Sequence, residues 1–66
     1  MKPMFRDYDM GDGFKIVATD MRTWTQYVAS QQNAKGYVIN GRCADFCRRR
    51  EAEAKIKAWR AEGAEA

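Results

Sequence analysis

The chain has 66 residues, with 12 Lys and Arg against 9 Asp and Glu and no His, so its formal net charge is +3 at pH 7. A chain this short buries only about 60% of its unfolded surface, which leaves room for one core and little scaffold for a catalytic cleft. The 45% apolar content, with two Trp, three Tyr and three Phe, is enough for that core without metal or disulfide staples.

The charge is unevenly spread. Residues 1–34 carry Lys2, Arg6, Lys15 and Arg22 against Asp7, Asp9, Asp12 and Asp20, which cancel. The whole positive excess falls in residues 35–66. A basic half points to an anionic partner, nucleic acid or an acidic protein surface. The competing reading is a solvated basic face with no partner. The start, Met1-Lys2-Pro3-Met4-Phe5, has no apolar run of signal-peptide length, and no stretch approaches a membrane span. A cytoplasmic location is therefore expected, with thiols kept reduced.

Taken in chain order, residues 1–13 end in the turn-rich Asp9-Met10-Gly11-Asp12-Gly13 and read as an irregular arm tacked down by Phe5 and Tyr8. Phe14 to Thr19 reads as a strand, with Phe14, Ile16 and Ala18 on one face and Lys15, Val17 and Thr19 on the other. After a connection at Asp20-Met21-Arg22, Thr23 to Ala29 reads as a second strand. Ser30 to Gly36 reads as a polar loop. Tyr37 to Ala44 then contains Asn40-Gly41, the pair favoured where a tight hairpin needs positive φ. That hairpin would set Ile39 against Arg42, Val38 against Cys43 and Tyr37 against Ala44.

From about Asp45, a candidate N-cap, the period becomes helical. Ala52, Ile56 and Trp59 form one stripe, expected to pack on the sheet. Glu51 with Lys55 and Glu53 with Lys57 are favourable pairs four residues apart, and Gly63 is a natural stop. The expected fold is α+β: a small antiparallel β-meander of three to four strands packed against one C-terminal α-helix. It forms a single domain over residues 1–66, with the arm at 1–13, the sheet at 14–46, the helix at 46–62 and a frayed tail at 63–66.

Signs of catalysis are missing. Without His the commonest general base and metal ligand is gone, and no nucleophile elbow, phosphate loop or dinucleotide fingerprint occurs. The run from Asp7 to Gly13 has the wrong residues for a calcium loop, with Gly11 at a ligand position and Ala18 where a bidentate Glu belongs. Cys43 and Cys47, four apart, fit neither a zinc site nor a Cys-x-x-Cys pair, and read as reduced, partly buried structural thiols. No enzyme activity, metal or cofactor is expected.

Candidate contact residues remain. Arg48, Arg49 and Arg50 fall at the helix start, where the macrodipole prefers acids. Such a local violation marks a place where function tends to sit. Exposed N–H groups and guanidinium forks there suit phosphate or carboxylate, and Arg42 would extend the patch. The structural alternative is a charge cluster in which Glu53 pairs with Arg49 or Arg50. On the sheet, Lys15, Thr25 and Tyr27 are expected on the face opposite the helix, where Lys15 and Tyr27 would contact phosphates and stack bases. Cys47, Ala54, Ala58 and Ala61 form a stripe of small residues opposite Ile56, either an interface or simply good helix formers.

The stretch Gly36-Tyr37-Val38-Ile39-Asn40-Gly41-Arg42, followed by Arg50-Glu51-Ala52-Glu53-Ala54-Lys55-Ile56, resembles the hairpin-then-helix ending of small phage and prophage accessory proteins. These include anti-CRISPR inhibitors and arm-type DNA-binding domains of phage integrases. The resemblance covers about half the chain and implies a stand-alone accessory protein of sheet-plus-helix fold. Two functions are therefore expected to compete. One is a phage-type inhibitor acting stoichiometrically on a host protein or nucleoprotein complex such as a CRISPR effector. The other is a small nucleic-acid-binding module. Arg42, Arg48, Arg49, Arg50, Lys15 and Tyr27 are the contact residues in either case, on a monomer or weak homodimer with no membrane role.

Overall fold

The computed structural model describes residues 5–63. Its strands are β1 (Phe5–Gly11), β2 (Phe14–Asp20), β3 (Thr25–Gln32) and β4 (Val38–Phe46), followed by the helix α1 (Arg49–Gly63). The strands form one antiparallel sheet in the order β1-β2-β3-β4, a meander with α1 laid across one face, mainly over β3 and β4. This is the expected α+β class.

Alternation on β2 sets the core. Phe14, Ile16 and Ala18 are all buried, as their period-2 spacing predicts. Phe14 and Ile16 cluster with Ala52, Ile56 and Trp59, the expected stripe of α1, and these three are buried as well. Ala29 completes the cluster, and Tyr8, Met10, Tyr27, Ala44 and Phe46 pack around it. Ala29 and Ala52 have no side chain beyond Cβ, so helix and sheet can approach closely between them. Trp59 stacks on Phe14 with ring centroids 6.4 Å apart and closes the end of the seam.

Several expectations are corrected. The stretch read as an irregular arm is β1, an edge strand paired with β2 from Phe5↔Thr19 to Gly11↔Phe14; Met1–Met4 lie outside the described residues. Asp7 and Asp9 read as turn residues, but acids are tolerated on the solvent side of an edge strand. Tyr8 and Met10, on the other side, are half-buried against the core. The β2–β3 connection includes Thr23 and Trp24, which are exposed in a turn where the Met21 N–H donates to the Trp24 carbonyl at 2.8 Å. β3 continues through Gln32, past the predicted start of a loop. The true loop is fastened by Asn33, whose Oδ1 accepts from the N–H groups of Lys35 and Tyr37 at 2.9 and 3.1 Å.

The predicted hairpin at Asn40-Gly41 does not form. Both residues have positive φ, 59° and 63°, so the local backbone signal is real. The chain nonetheless continues in one direction, because Val38 pairs with Gln32 and Cys43 with Ser30, both on β3. Residues 39–42 bulge opposite the single residue Gln31. Its Oε1 accepts from Asn40 Nδ2 at 3.1 Å and Arg42 Nη1 at 2.9 Å, filling the gap with side-chain bonds.

The helix starts at Arg49, later than expected. Asp45 is not its cap: it sits in β4 opposite Val28, where its Oδ2 accepts from Gln26 Nε2 at 3.2 Å. The Arg48 carbonyl accepts the first helical N–H groups, from Glu51 and Ala52. Of the tail expected at 63–66, residues 64–66 lie outside the described residues.

Trp59→Ala is expected to cost about 3–5 kcal/mol by chemical denaturation, the range for truncating a large core aromatic. A near-neutral result would disprove the seam. Gly13, at φ 83°, would place a Cβ 2.5 Å from the Gln32 carbonyl oxygen. Gly13→Ala therefore combines a left-handed backbone with a backbone clash, and should cost about 1–3 kcal/mol in the same assay.

Candidate functional site

Strand register sorts the charges of this chain onto two sides. Residues sharing parity with Ile16 turn toward α1, and the others turn to the open face. The open face receives Asp7, Asp9 and Asp45 against Lys15. The helix side receives Arg6, Arg42 and the cations of α1, which outnumber Asp20, Glu51, Glu53 and Glu62 on that side. The basic half seen in the sequence is thus a basic side of the molecule, and the open sheet face is acidic.

The predicted contact residues do not form one patch. Lys15 lies on the open face, half-buried beside Ser30. Tyr27 does not: it pairs with Ala18, which places it on the covered face, half-buried against the core. Thr25 shares that side. Thr25 and Tyr27 alternate with Trp24 and Val28, but Trp24 lies in the turn and Val28 takes the open face, so the two faces are exchanged relative to the expectation. Arg42 is bonded to Gln31 and lines a cleft of about 230 Å³ with Asp12, Phe14, Trp59 and Arg60. Arg49 lies at the opposite end of α1 from Trp59, ten residues and about 15 Å of helix away.

The three consecutive arginines diverge. Arg49 turns inward: its Nε donates to Glu53 Oε1 at 3.0 Å, and its guanidinium stacks over the Tyr8 ring at 4.2 Å. This is the structural alternative foreseen for the cluster, realised at one residue of the three. Arg48 and Arg50 are exposed, and among the described residues neither has an ion-pair or hydrogen-bond partner. Lys57, two helical turns beyond Arg50, shares its flank of α1 and is likewise exposed. The seven-residue spacing of Arg50 and Lys57 was legible in the sequence and gives the stripe a second cation.

A further residue, Arg60, had no local signal because its partners are about fifty positions away. Its Nη1 donates to Asp12 Oδ2 at 2.6 Å, and its Nη2 donates to the carbonyls of Met10 and, at 3.2 Å, Gly11. The guanidinium also lies 4.9 Å from the Phe14 ring centroid. One planar fork thereby fastens the last turns of α1 to the β1–β2 turn.

Both cysteines are free, and both are exposed rather than partly buried. Cys47 precedes α1, so the helical stripe of small residues is Ala54, Ala58 and Ala61. Among the described residues no group of three or more His, Cys, Asp or Glu is placed to hold a metal ion. Among the described residues no helix is long and apolar enough to cross a membrane.

No family model, curated protein or solved structure matches this chain. The functional reading therefore rests on the geometry above. Exposed cations beside small residues suit recognition of an anionic surface.

The Asp12 carboxylate is largely exposed, so its ion pair with Arg60 contributes little, whereas the bonds to two carbonyls hold the turn. Arg60→Ala should cost about 2 kcal/mol by denaturation, in line with charge-assisted hydrogen bonds. Asp12→Asn should cost under about 0.5 kcal/mol. Equal losses for the two variants would show that the ion pair, not the carbonyl clasp, is the fastening.

Proposed function

We propose that this chain is a non-enzymatic binding protein that engages an anionic surface with its helix side. In the setting its resemblance implies, it is a phage-type inhibitor acting stoichiometrically on a host nucleoprotein complex, such as a CRISPR effector, in the host cytoplasm. The observation that carries the reading is the internal accounting of the helix-side cations. Arg6, Arg49 and Arg60 are each bound to an acid of the same chain. Arg42 is bonded to Gln31 and Lys55 lies over the Trp59 ring, whereas Arg48, Arg50 and Lys57 project to solvent from the start and one flank of α1 with no partner among the described residues. Charges that a fold neither pairs nor buries are free to serve an incoming anion, by steering and by hydrogen bonds from the guanidinium forks.

A nucleic-acid-binding module is the second reading. Ala54 and Ala61 lie on the same flank as Arg50 and Lys57, so a phosphate backbone could come close to the helix there. The acidic open face speaks against the sheet as a DNA-reading surface, because Asp7, Asp9 and Asp45 would repel phosphates.

The test is capture from host lysate on the tagged protein, with and without nuclease, beside Arg48→Glu/Arg50→Glu/Lys57→Glu. A defined protein complex that survives nuclease and is lost in the triple variant is the expected result. A correctly folded triple variant that retains the complex would overturn the surface assignment. If nuclease strips every partner, bare nucleic acid should bind with a log–log salt slope of about −2 to −3, set by three phosphate contacts. That outcome replaces the inhibitor with the nucleic-acid module.

A further inference from the structure

Among the described residues, Arg42 is the half-buried cation of the helix side that has no acid. Arg60, half-buried on the same side, is paired with Asp12. The partner of Arg42 is a neutral amide: its Nη1 donates to Gln31 Oε1 at 2.9 Å. That oxygen is itself fixed, since it also accepts from Asn40 Nδ2 at 3.1 Å. On its other side, Gln31 Nε2 lies 3.5 Å from the Asp12 carbonyl oxygen. Asn40 reaches Gln31 from the bulge of β4, where its backbone is left-handed at φ 59°. Neutral groups thus hold the Arg42 guanidinium in place. They leave its charge uncompensated and most of its N–H donors unspent.

Those donors border a cleft. It is lined by Arg42 and Gln31 from β4 and β3, by the Arg60–Asp12 clasp, and by Phe14 and Trp59, and its volume is about 230 Å³. Pockets for drug-sized molecules run to roughly 300–1,000 Å³, so an occupant here is small. Phe14 and Trp59 belong to the core and give the cleft an apolar floor. The Arg60 fork is spent on Asp12 and on the carbonyls of Met10 and Gly11. Arg42 therefore supplies the free donors.

The charges facing the cleft decide what it takes. Arg42 and Arg60 are positive and Asp12 is negative, which leaves one positive charge; Lys55 and Glu62 of α1 do not line it. The last carbonyls of α1 add negative potential at this end of the helix. A phosphate dianion would bring a surplus charge beside Asp12. A carboxylate matches both the single charge and the planar fork of a guanidinium. We infer that this cleft binds a small carboxylate with a flat apolar body, of about the size of benzoate. The carboxylate accepts from Arg42, and the apolar body covers the floor of Phe14 and Trp59. The site shares no residue with Arg48, Arg50 and Lys57, so it and the proposed helix-flank contact can fail separately.

The experiment uses the full chain carrying Trp24→Phe, which changes an exposed turn residue and leaves Trp59, at the cleft, as the sole Trp. Its fluorescence is followed against benzoate at constant ionic strength, with inorganic phosphate and uncharged benzamide as companion probes. Benzoate should give a saturable change. Benzamide and phosphate should bind at least about tenfold more weakly, as loss of charge-assisted hydrogen bonds requires. Arg42→Gln should weaken benzoate by about tenfold or more with an unchanged circular dichroism spectrum. Asn40→Gly keeps the left-handed backbone but releases Gln31, and should weaken benzoate severalfold. Arg48→Gln/Arg50→Gln should leave benzoate binding as it is. The inference is overturned if benzoate gives no saturable response, or if phosphate or benzamide binds as tightly. A folded Arg42→Gln variant that binds like its parent would overturn it too. If Arg42→Gln does not fold, undiminished binding by Asn40→Gly has the same consequence. Equal losses in Arg42→Gln and Arg48→Gln/Arg50→Gln would show general attraction of anions to a basic side, and no site.

Discussion

The contact between α1 and the sheet is the constraint on which the rest of this structure depends. Four strands present two faces, and one helix of fifteen residues covers one of them. Ile16, Ala29 and Ala52 have no exposed surface, while Trp59 and Phe14 close the end of the seam by stacking. The small residues set how close the helix lies, and the large ones fill what that closeness leaves. Among the described residues Arg60 adds the one long-range polar fastening of α1, holding its last turns to the β1–β2 turn beside the Trp59–Phe14 stack.

Charge sorting follows from the same seam. In a strand, the residues that must face the core fix where all the others go, and a one-residue slip would exchange the faces. Placing Ile16 and Ala29 under α1 therefore sends Asp7, Val17, Val28 and Asp45 to the open side as one row. The molecule acquires an acidic face and a basic side although its net charge is small. An anionic partner would meet that basic side.

Much of the fold was legible in the sequence, because its strongest signals were periodic. Phe14, Ile16 and Ala18 at period 2, and Ala52, Ile56 and Trp59 at helical spacing, located the two surfaces of the core. What failed was reasoning from short local signals that tertiary pairing overrides. Asn40-Gly41 does take the positive φ values of a tight turn, yet pairing of Val38 and Cys43 with β3 turns it into a bulge around Gln31. Asp7 and Asp9 looked like turn residues because nothing local shows that a strand lies at an edge. Tyr27 was placed on the wrong face by a parity error of one residue. Arg60 was invisible, since a clasp across about fifty residues leaves no local pattern.

The arginine run shows how far a local violation can be read as function. Three cations at a helix start oppose the macrodipole, and among the described residues no side chain accepts from the first-turn N–H groups to offset them. A violation that serves the fold should find its compensation inside the fold. Arg49 does, in Glu53 and the Tyr8 ring, so its presence needs no partner to explain it. Arg48 and Arg50 find none among the described residues, and Lys57 extends the exposed charge of Arg50 along one flank of α1. The same run of three residues thus divides into one that builds the helix–sheet contact and two that are left for an external anion. Sequence spacing could not make that division, because it depends on Tyr8, a strand residue 41 positions from Arg49.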